Sequence, residues 1–239
     1  MDWLQVVILA IVQGITEFLP VSSSAHLILV PVLTDWPDQG LAFDVALHLG
    51  SLSAVLIYFR QDIINMLQSW TRSLHTRQLD ADAKLAWAVI LGTIPVGLAG
   101  LLLKDTVETV LRSPVYLSVG LIGFGLLLGW ADWRFRGSRS EYQMNWKDVL
   151  FIGCAQALAL FPGTSRSGIT MTAALMLGLS REASARFSFL LSIPVIVLAC
   201  GLLIKDLIET PQPIQGGFML AGVLLSGLSA YLCIHYFLA

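Results

Sequence analysis

The stretch "QALALFPGTSRSGIT" (156–170) sets an arginine inside one of the most apolar regions of the chain. From Val149 to Ser180, Arg166 is the sole formally charged residue. The apolar pattern is broken there by Pro162, Gly163 and a cluster of hydroxyl residues. Proline ends an incoming helix, and Ser or Thr oxygens cap the next one. Residues 149–180 therefore read as helix, turn, helix. Residues 3–34 are interrupted in the same way, at "FLPVSSSAH" (18–26). In neither region do the arms reach the ~20 apolar residues needed to cross a bilayer.

Working outward, the 239 residues are 56% apolar and 13% charged, with a mean hydropathy of +0.77. Soluble domains carry about a quarter charged residues, so the chain reads as an integral membrane protein. A net charge of −2 argues against a nucleic-acid partner. Five runs are long and apolar enough to span: 43–59, 85–103, 115–131, 187–204 and 217–239. A lipid-exposed backbone must satisfy its own hydrogen bonds, which selects helices. Cys154, Cys200 and Cys233 stand alone in apolar runs and read as packing residues. The first segment has no basic region before it and carries Gln13 and Glu17, so it does not read as a cleaved signal peptide.

Charge orders the spans. Connection 60–84 holds Arg60, Arg72, Arg77 and Lys84; 132–148 holds Arg134, Arg136, Arg139 and Lys147; 181–186 holds Arg181 and Arg186. Connection 35–42 has no basic residue, 104–114 has Lys104 and Arg112, and 205–216 has Lys205 alone. With the basic connections cytoplasmic, both ends of 149–180 fall inside and both ends of 3–34 outside. Two re-entrant helical hairpins dipping from opposite faces satisfy this pattern, and a spanning version of either breaks it.

Laying Pro20 over Pro162 aligns "FLPVSSSAH" with "LFPGTSRSG". Opposite entry sides make this an inverted-topology repeat, whose broken helices meet near the midplane. The expected fold is all-α: one polytopic membrane helix bundle over residues 1–239, with inverted halves 1–113 and 114–239. In both hairpins the hydroxyl cluster opens the second arm, so two helix N-termini point inward. Each offers unpaired N–H groups and partial positive charge. With Arg166 they make a site for an anion, in particular phosphate. Intramembrane charge costs ~2.5–3.5 kcal/mol even on insertion scales. A competing reading is a buried Arg166–Glu17 ion pair that only locks the hairpins together.

Gln13 and Glu17, four apart, share a helix face. Ser22, Ser23 and Ser24 follow, with His26 one turn into the next arm. This set suits phosphoryl transfer. The carboxylate can hold Mg²⁺ or Ca²⁺, arginine and helix ends neutralise phosphoryl charge, and serine or histidine can attack phosphorus. Individually, the serines also read as caps, His26 as an interior histidine and Gln13 as a partner for freed backbone. His48, His75 and His235 have no comparable neighbours in sequence and are given no role.

The loops "QGITEFLPVSSSAH" (13–26) and "PGTSRSGIT" (162–170) closely resemble the signatures of the bacterial undecaprenyl-pyrophosphate phosphatase family of the bacitracin-resistance type. "FDVALHLGSLSAVLIYFR" and "RFSFLLSIP" also look like family segments. The resemblance implies hydrolysis of a C55 polyprenyl diphosphate to the monophosphate carrier lipid, at the outer side of the cytoplasmic (inner) membrane. It implies Glu17 and Gln13 as the acidic and metal-binding pair, with Ser23 and His26 as nucleophile or proton-transfer groups. Ser165, Arg166 and Thr170 become the phosphate grip, with Ser22 and Ser167 beside it. Serine, histidine and water all remain open as nucleophile. Gln13 stands where the family often has glutamate, which leaves more of the metal binding to Glu17. The sequence ends at "YFLA" where the family usually continues: either a further helix is absent, or a neighbour, as in a homodimer, closes that side.

A transporter or flippase for anionic polyprenyl lipids is the alternative from another class, since inverted repeats and midplane anion sites also suit transport. The Glu17, Ser23 and His26 set is the discriminating feature, because moving an anion does not need it. A phosphatidate-phosphatase-type enzyme is disfavoured: its spaced Lys/Arg, PSGH and SRxxxxxH blocks are absent.

Overall fold

The computed structural model describes residues 1–109, 114–209 and 215–239. Arg112 and the expected boundary between the halves lie outside them. Among the described residues there are ten α-helices and no strand beyond an isolated bridge between Arg139 and Leu179. The helices are α1 (Trp3–Phe18), α2 (Ser23–Thr34), α3 (Leu41–Tyr58), α4 (Arg60–Thr76), α5 (Ala81–Thr109), α6 (Pro114–Arg134), α7 (Trp146–Ala157), α8 (Arg166–Met176), α9 (Arg181–Glu209) and α10 (Gly216–Leu238). Five of them, α3, α5, α6, α9 and α10, are long and apolar enough to cross a membrane, and they coincide with the five apolar runs. The protein is a multi-pass helical membrane protein.

The two interrupted regions are pairs of short helices. At 1.5 Å per residue, α1, with 16 residues, is about 24 Å long. The 11 residues of α8 reach only about 17 Å, against a hydrocarbon core of about 30 Å. The turn after α7 runs through a 3₁₀ segment, Leu158–Leu160, to Gly163 at φ +82°. Only glycine takes that conformation without strain, and a Cβ there would stand 2.1 Å from the Leu117 carbonyl oxygen on α6.

Caps show where the sequence reading succeeds and where it fails. Ser165 caps α8, its Oγ accepting from the Gly168 N–H at 3.1 Å. Ser22 occupies the same place before α2 but caps nothing; its own backbone sits at φ 65°, ψ 93°. The expectation that both hydroxyl clusters cap their second arms holds for α8 and is corrected for α2.

The basic connections meet at one end of the bundle. Arg186 on α9 reaches Asp62 on α4 and Glu141 between α6 and α7, each at 2.9 Å. Arg139 bonds Asp148 at 2.6 Å and the Leu177 carbonyl at 2.8 Å, which ties the start of α7 to the exit of α8. The start of α1 lies instead beside the connection after α2, through Gln5 Nε2 to the Pro37 carbonyl at 2.7 Å. Connection 60–84 is not a loop: most of it is α4, whose Ile63, Met66 and Trp70 pack inward against the core. Nor is 181–186 a loop, because it forms the first turns of α9, with Ala183 N–H donating to Ser180 Oγ at 3.0 Å.

The core is built from the phenylalanine-rich ends of these helices, including Phe18, Phe59, Phe187 and Phe189. Phe18 and Phe189 meet edge to face at 5.3 Å. On the other side α10 wedges against α1 and α3. A Cβ on Gly14 would stand 1.9 Å from Ser229 Oγ, so the backbones approach as closely as small residues allow. Ser226 Oγ donates to the Leu47 carbonyl at 2.8 Å, fixing α3 on α10. These contacts set the rotation of α1 and α3, and so which side chains face the site. Cys200 is buried and Cys233 donates to the Ile15 carbonyl at 3.4 Å, whereas Cys154 is exposed and is not a packing residue.

Candidate active site

The two helical pairs touch at their turns. Ser167 Oγ donates to the Leu19 carbonyl at 2.9 Å, joining residues 148 positions apart. Beside that contact, Arg166 Nη2 donates to Glu17 Oε1 at 3.0 Å. The carboxylate and guanidinium are 9% and 13% exposed, so the lone charges of the two interrupted regions face each other almost out of solvent. Removing one partner from such a pair costs about 3–5 kcal/mol, because the other is left buried and uncompensated.

Glu17 is the hub. Its second oxygen accepts from Ser23 Oγ at 2.7 Å and from Gln13 Nε2 at 3.1 Å. The first α2 residue is thereby held against the last turn of α1. Arg166 has a second anchor, Nη1 to the Ser188 carbonyl at 3.2 Å. Thr170, buried one turn into α8, bonds Ser188 Oγ at 2.7 Å and back-bonds to the Arg166 carbonyl at 3.0 Å. It braces the arginine and its helix.

The expected residues thus fall into groups. Gln13, Glu17, Ser23 and Arg166 form one connected cluster. Ser165 and Ser167 stand 3.0 Å apart at the start of α8, with Ser165 capping and Ser167 tying the two turns together. Ser22 Oγ lies 3.4 Å from Ser24 Oγ. His26 makes no ion pair with Glu17; its Nδ1 lies 2.8 Å from the Ser22 carbonyl. Because Ser22 provides no side-chain cap, the first turn of α2 keeps its N–H groups for an anion. Gln156, the counterpart of Gln13 in the other pair, bonds the Gly92 carbonyl at 3.3 Å and takes no part in the cluster.

The sequence reading missed two residues. His48, given no role, projects from α3 to place Nε2 3.9 Å from Glu17 Oε2. Ser188, on α9, holds Arg166 and Thr170 as described. Both come from spanning helices distant in sequence from the motifs, and only the packing of α1, α3 and α9 brings them in.

For a divalent cation, one carboxylate, one amide oxygen and nearby hydroxyls are available. Gln13 is completely buried and its Oε1 has no partner among the described residues. An orphaned buried acceptor beside a carboxylate fits a hard cation. Among the described residues no three of His, Cys, Asp and Glu group closely enough to bind a metal alone. Phosphate oxygens and water would have to supply the remaining ligands, as is usual for Mg²⁺. An apolar groove of about 650 Å³ runs between α1 and α10, lined by Ile11, Ile15, Leu19, Leu225, Leu228 and Leu232 among others.

Comparison with known proteins identifies the family. Residues 6–239 match the model of the family described as bacitracin resistance protein BacA. Over 241 residues the chain is 61% identical to undecaprenyl-diphosphatase 2 of Stutzerimonas stutzeri, covering all of the chain and 89% of that protein. It is 57% identical over 237 residues to the undecaprenyl-diphosphatase of Nitrosococcus oceani, covering 99% of the chain and 89% of the relative. With the undecaprenyl-diphosphatase of Thioalkalivibrio sulfidiphilus it shares 61% identity over 239 residues, covering all of the chain and 90% of the relative. A family match over nearly the full length, together with the paired loops that carry Glu17 and Arg166, places the chain in the bacitracin resistance protein BacA family.

Proposed function

We infer that this protein hydrolyses undecaprenyl diphosphate to undecaprenyl phosphate and inorganic phosphate, so returning the carrier lipid to peptidoglycan synthesis and conferring bacitracin resistance. The observation that carries this reading is the Ser23–Glu17–Arg166 chain, linked at 2.7 and 3.0 Å where the two turns meet. It places a nucleophile on a base, with a phosphate-binding cation next to both. Transport of an anionic lipid would need the arginine but not the serine–carboxylate contact.

In this mechanism the terminal phosphate lies against Arg166 and the free N–H groups opening α2. Ser23 Oγ attacks the terminal phosphorus and gives its proton to Glu17. The bond from that phosphorus to the bridging oxygen breaks, and undecaprenyl phosphate leaves. Water then attacks the phosphoserine, releasing inorganic phosphate and restoring Ser23. His26, anchored through Nδ1 and one turn away, serves proton transfer. Thr170 and Ser165 hold Arg166 and the α8 N-terminus in place, and Ser167 fixes the distance between the turns. Glu17 and Gln13 would hold Mg²⁺ or Ca²⁺, which when bound neutralises charge on the diphosphate. The isoprenoid tail follows the apolar groove along α1 and α10 into lipid.

The same reading makes α1–α2 and α7–α8 re-entrant hairpins related by an inverted repeat. Support comes from their short lengths, from the order short, short, long in α1–α2–α3 and α7–α8–α9, and from the outer ends of the pairs lying at opposite ends of the bundle. Convergence of the basic connections supports the inner membrane as location, with that end cytoplasmic and the site opening to the periplasmic face. Gly125 and Gly129, four apart on α6 with open space where their side chains would stand, support a homodimer contact.

The test is phosphate release from C55 or C15 diphosphate by the purified protein in detergent, with and without EDTA. Release that stops with the chelator and returns with Mg²⁺ or Ca²⁺ is expected. No release under any metal would favour transport.

A further inference from the structure

We propose that His48 is a third protein ligand of the divalent cation, binding through Nε2 beside the Glu17 carboxylate and the Gln13 amide oxygen. The proposal rests on the hydrolase reading and adds a ligand that neither motif contains.

His48 Nδ1 lies 2.8 Å from the Asp44 carbonyl oxygen. A carbonyl only accepts, so Nδ1 carries the proton and the neutral ring presents Nε2 as an acceptor. Metal-binding histidines show this pattern, with one ring N–H fixed on a carbonyl and the other nitrogen on the metal. Here the other nitrogen faces Glu17 Oε2 at 3.9 Å. With the ring neutral, both atoms are acceptors, and a cation between them would bind to each. The spacing is too long for a direct hydrogen bond. It lies within the ~4.2 Å that two ligand atoms can span across one cation, with bonds of about 2.1 Å.

Gln13 supplies the independent observation. It is completely buried, its Nε2 is 3.1 Å from the same Glu17 oxygen, and its Oε1 is orphaned. Turning the amide end for end exchanges oxygen and nitrogen with little change of shape. The oxygen then joins Glu17 Oε2 and His48 Nε2 as a third converging acceptor. Without a cation that orientation is unfavourable; with one the three acceptors share it, and the amide Nε2 takes the place of the orphaned oxygen. Two ligands come from α1 and one from α3, and the close α10 contacts hold these helices in register. The remaining positions stay open to water and diphosphate oxygens. An imidazole ligand also shifts preference from Mg²⁺ and Ca²⁺ toward Mn²⁺ and later metals.

Electron spin-echo envelope modulation of Mn²⁺ tests this on the full chain in detergent, with methylenediphosphonate as an unhydrolysable diphosphate. Modulation from a directly bound imidazole nitrogen is expected in the wild type. It should persist in His26→Gln and vanish in His48→Gln, where Mn²⁺ affinity falls by about tenfold or more and Ca²⁺ affinity falls less. Bound Mn²⁺ without nitrogen coupling in the wild type, coupling that survives His48→Gln, or no Mn²⁺ binding beside the analogue would each overturn the assignment. An imidazolium that merely pairs with Glu17 gives the first of these results. The wild-type spectrum decides even if the variant fails to fold. Phosphate release without nitrogen coupling would sink the ligand role of His48 and leave the hydrolase reading standing.

Discussion

Replacing Arg166 by lysine keeps the charge and removes the fork. In the native site Nη2 holds Glu17 Oε1 at 3.0 Å and Nη1 holds the Ser188 carbonyl at 3.2 Å. The planar group thus has two anchors within the protein and N–H bonds left for phosphate. A lysine ammonium cannot reproduce both anchors and the phosphate contact in that geometry. Losing one charge-assisted hydrogen bond is worth about 1.5–3 kcal/mol, or roughly 10- to 150-fold in kcat/KM. Stability should change far less, because Glu17 keeps a cation beside it. Arg166→Ala instead leaves the carboxylate unpaired and should lose about 3–5 kcal/mol. Phosphate release and melting temperature, measured in one detergent for the three proteins, separate these effects. The expected result is an Arg166→Lys protein that melts near the wild type and turns over far more slowly. Turnover at the wild-type rate in that variant would refute the fork and reduce Arg166 to a point charge.

Glu17→Gln keeps the volume and an acceptor for Ser23 but cannot take its proton, so phosphate release should fall about 10²- to 10⁴-fold. If the loss merely tracks a fall in melting temperature, the pair is a structural lock. Rapid quenching with terminally ³²P-labelled diphosphate should trap phosphoserine in the wild type and none in Ser23→Ala; label on His26 would reassign the nucleophile. Gly163→Ala pushes a Cβ to 2.1 Å from the Leu117 carbonyl at φ +82° and should destabilise by about 1–3 kcal/mol. An unchanged melting curve would contradict that packing. In a cysteine-free background, Asp38→Cys should react with an impermeant maleimide on intact cells and Arg72→Cys only after permeabilisation; the reverse would invert the topology.

What the sequence revealed and what it hid have separate physical causes. Spans and breaks were legible because they depend on local chemistry: continuous apolar runs, and Pro20 and Pro162 ahead of hydroxyl clusters. The Arg166–Glu17 contact was legible because two isolated charges in apolar surroundings have few other partners. Helix α4 was overlooked because its composition is polar, although Ile63, Met66 and Trp70 already follow helical spacing. The cap at Ser22 failed because its backbone turns to φ 65°, where the hydroxyl no longer faces the α2 amides. Ser167 was expected on phosphate, yet its hydrogen goes to the Leu19 carbonyl, a contact between segments 148 residues apart. His48 depends on the rotation of α3 relative to α1, set by Ser226 and Ser229 of α10. That information lies in packing, and no short window of sequence contains it.

The central claim is that a lipid diphosphate is gripped where the two turns meet. A structure of the protein with an unhydrolysable farnesyl diphosphate analogue and Mn²⁺ tests it most directly. Terminal phosphate oxygens are expected within hydrogen-bond distance of Arg166 and of the first α2 amides, with the tail in the groove between α1 and α10. A diphosphate seated elsewhere, for example beside Arg181 in the groove between α6 and α9, would contradict it.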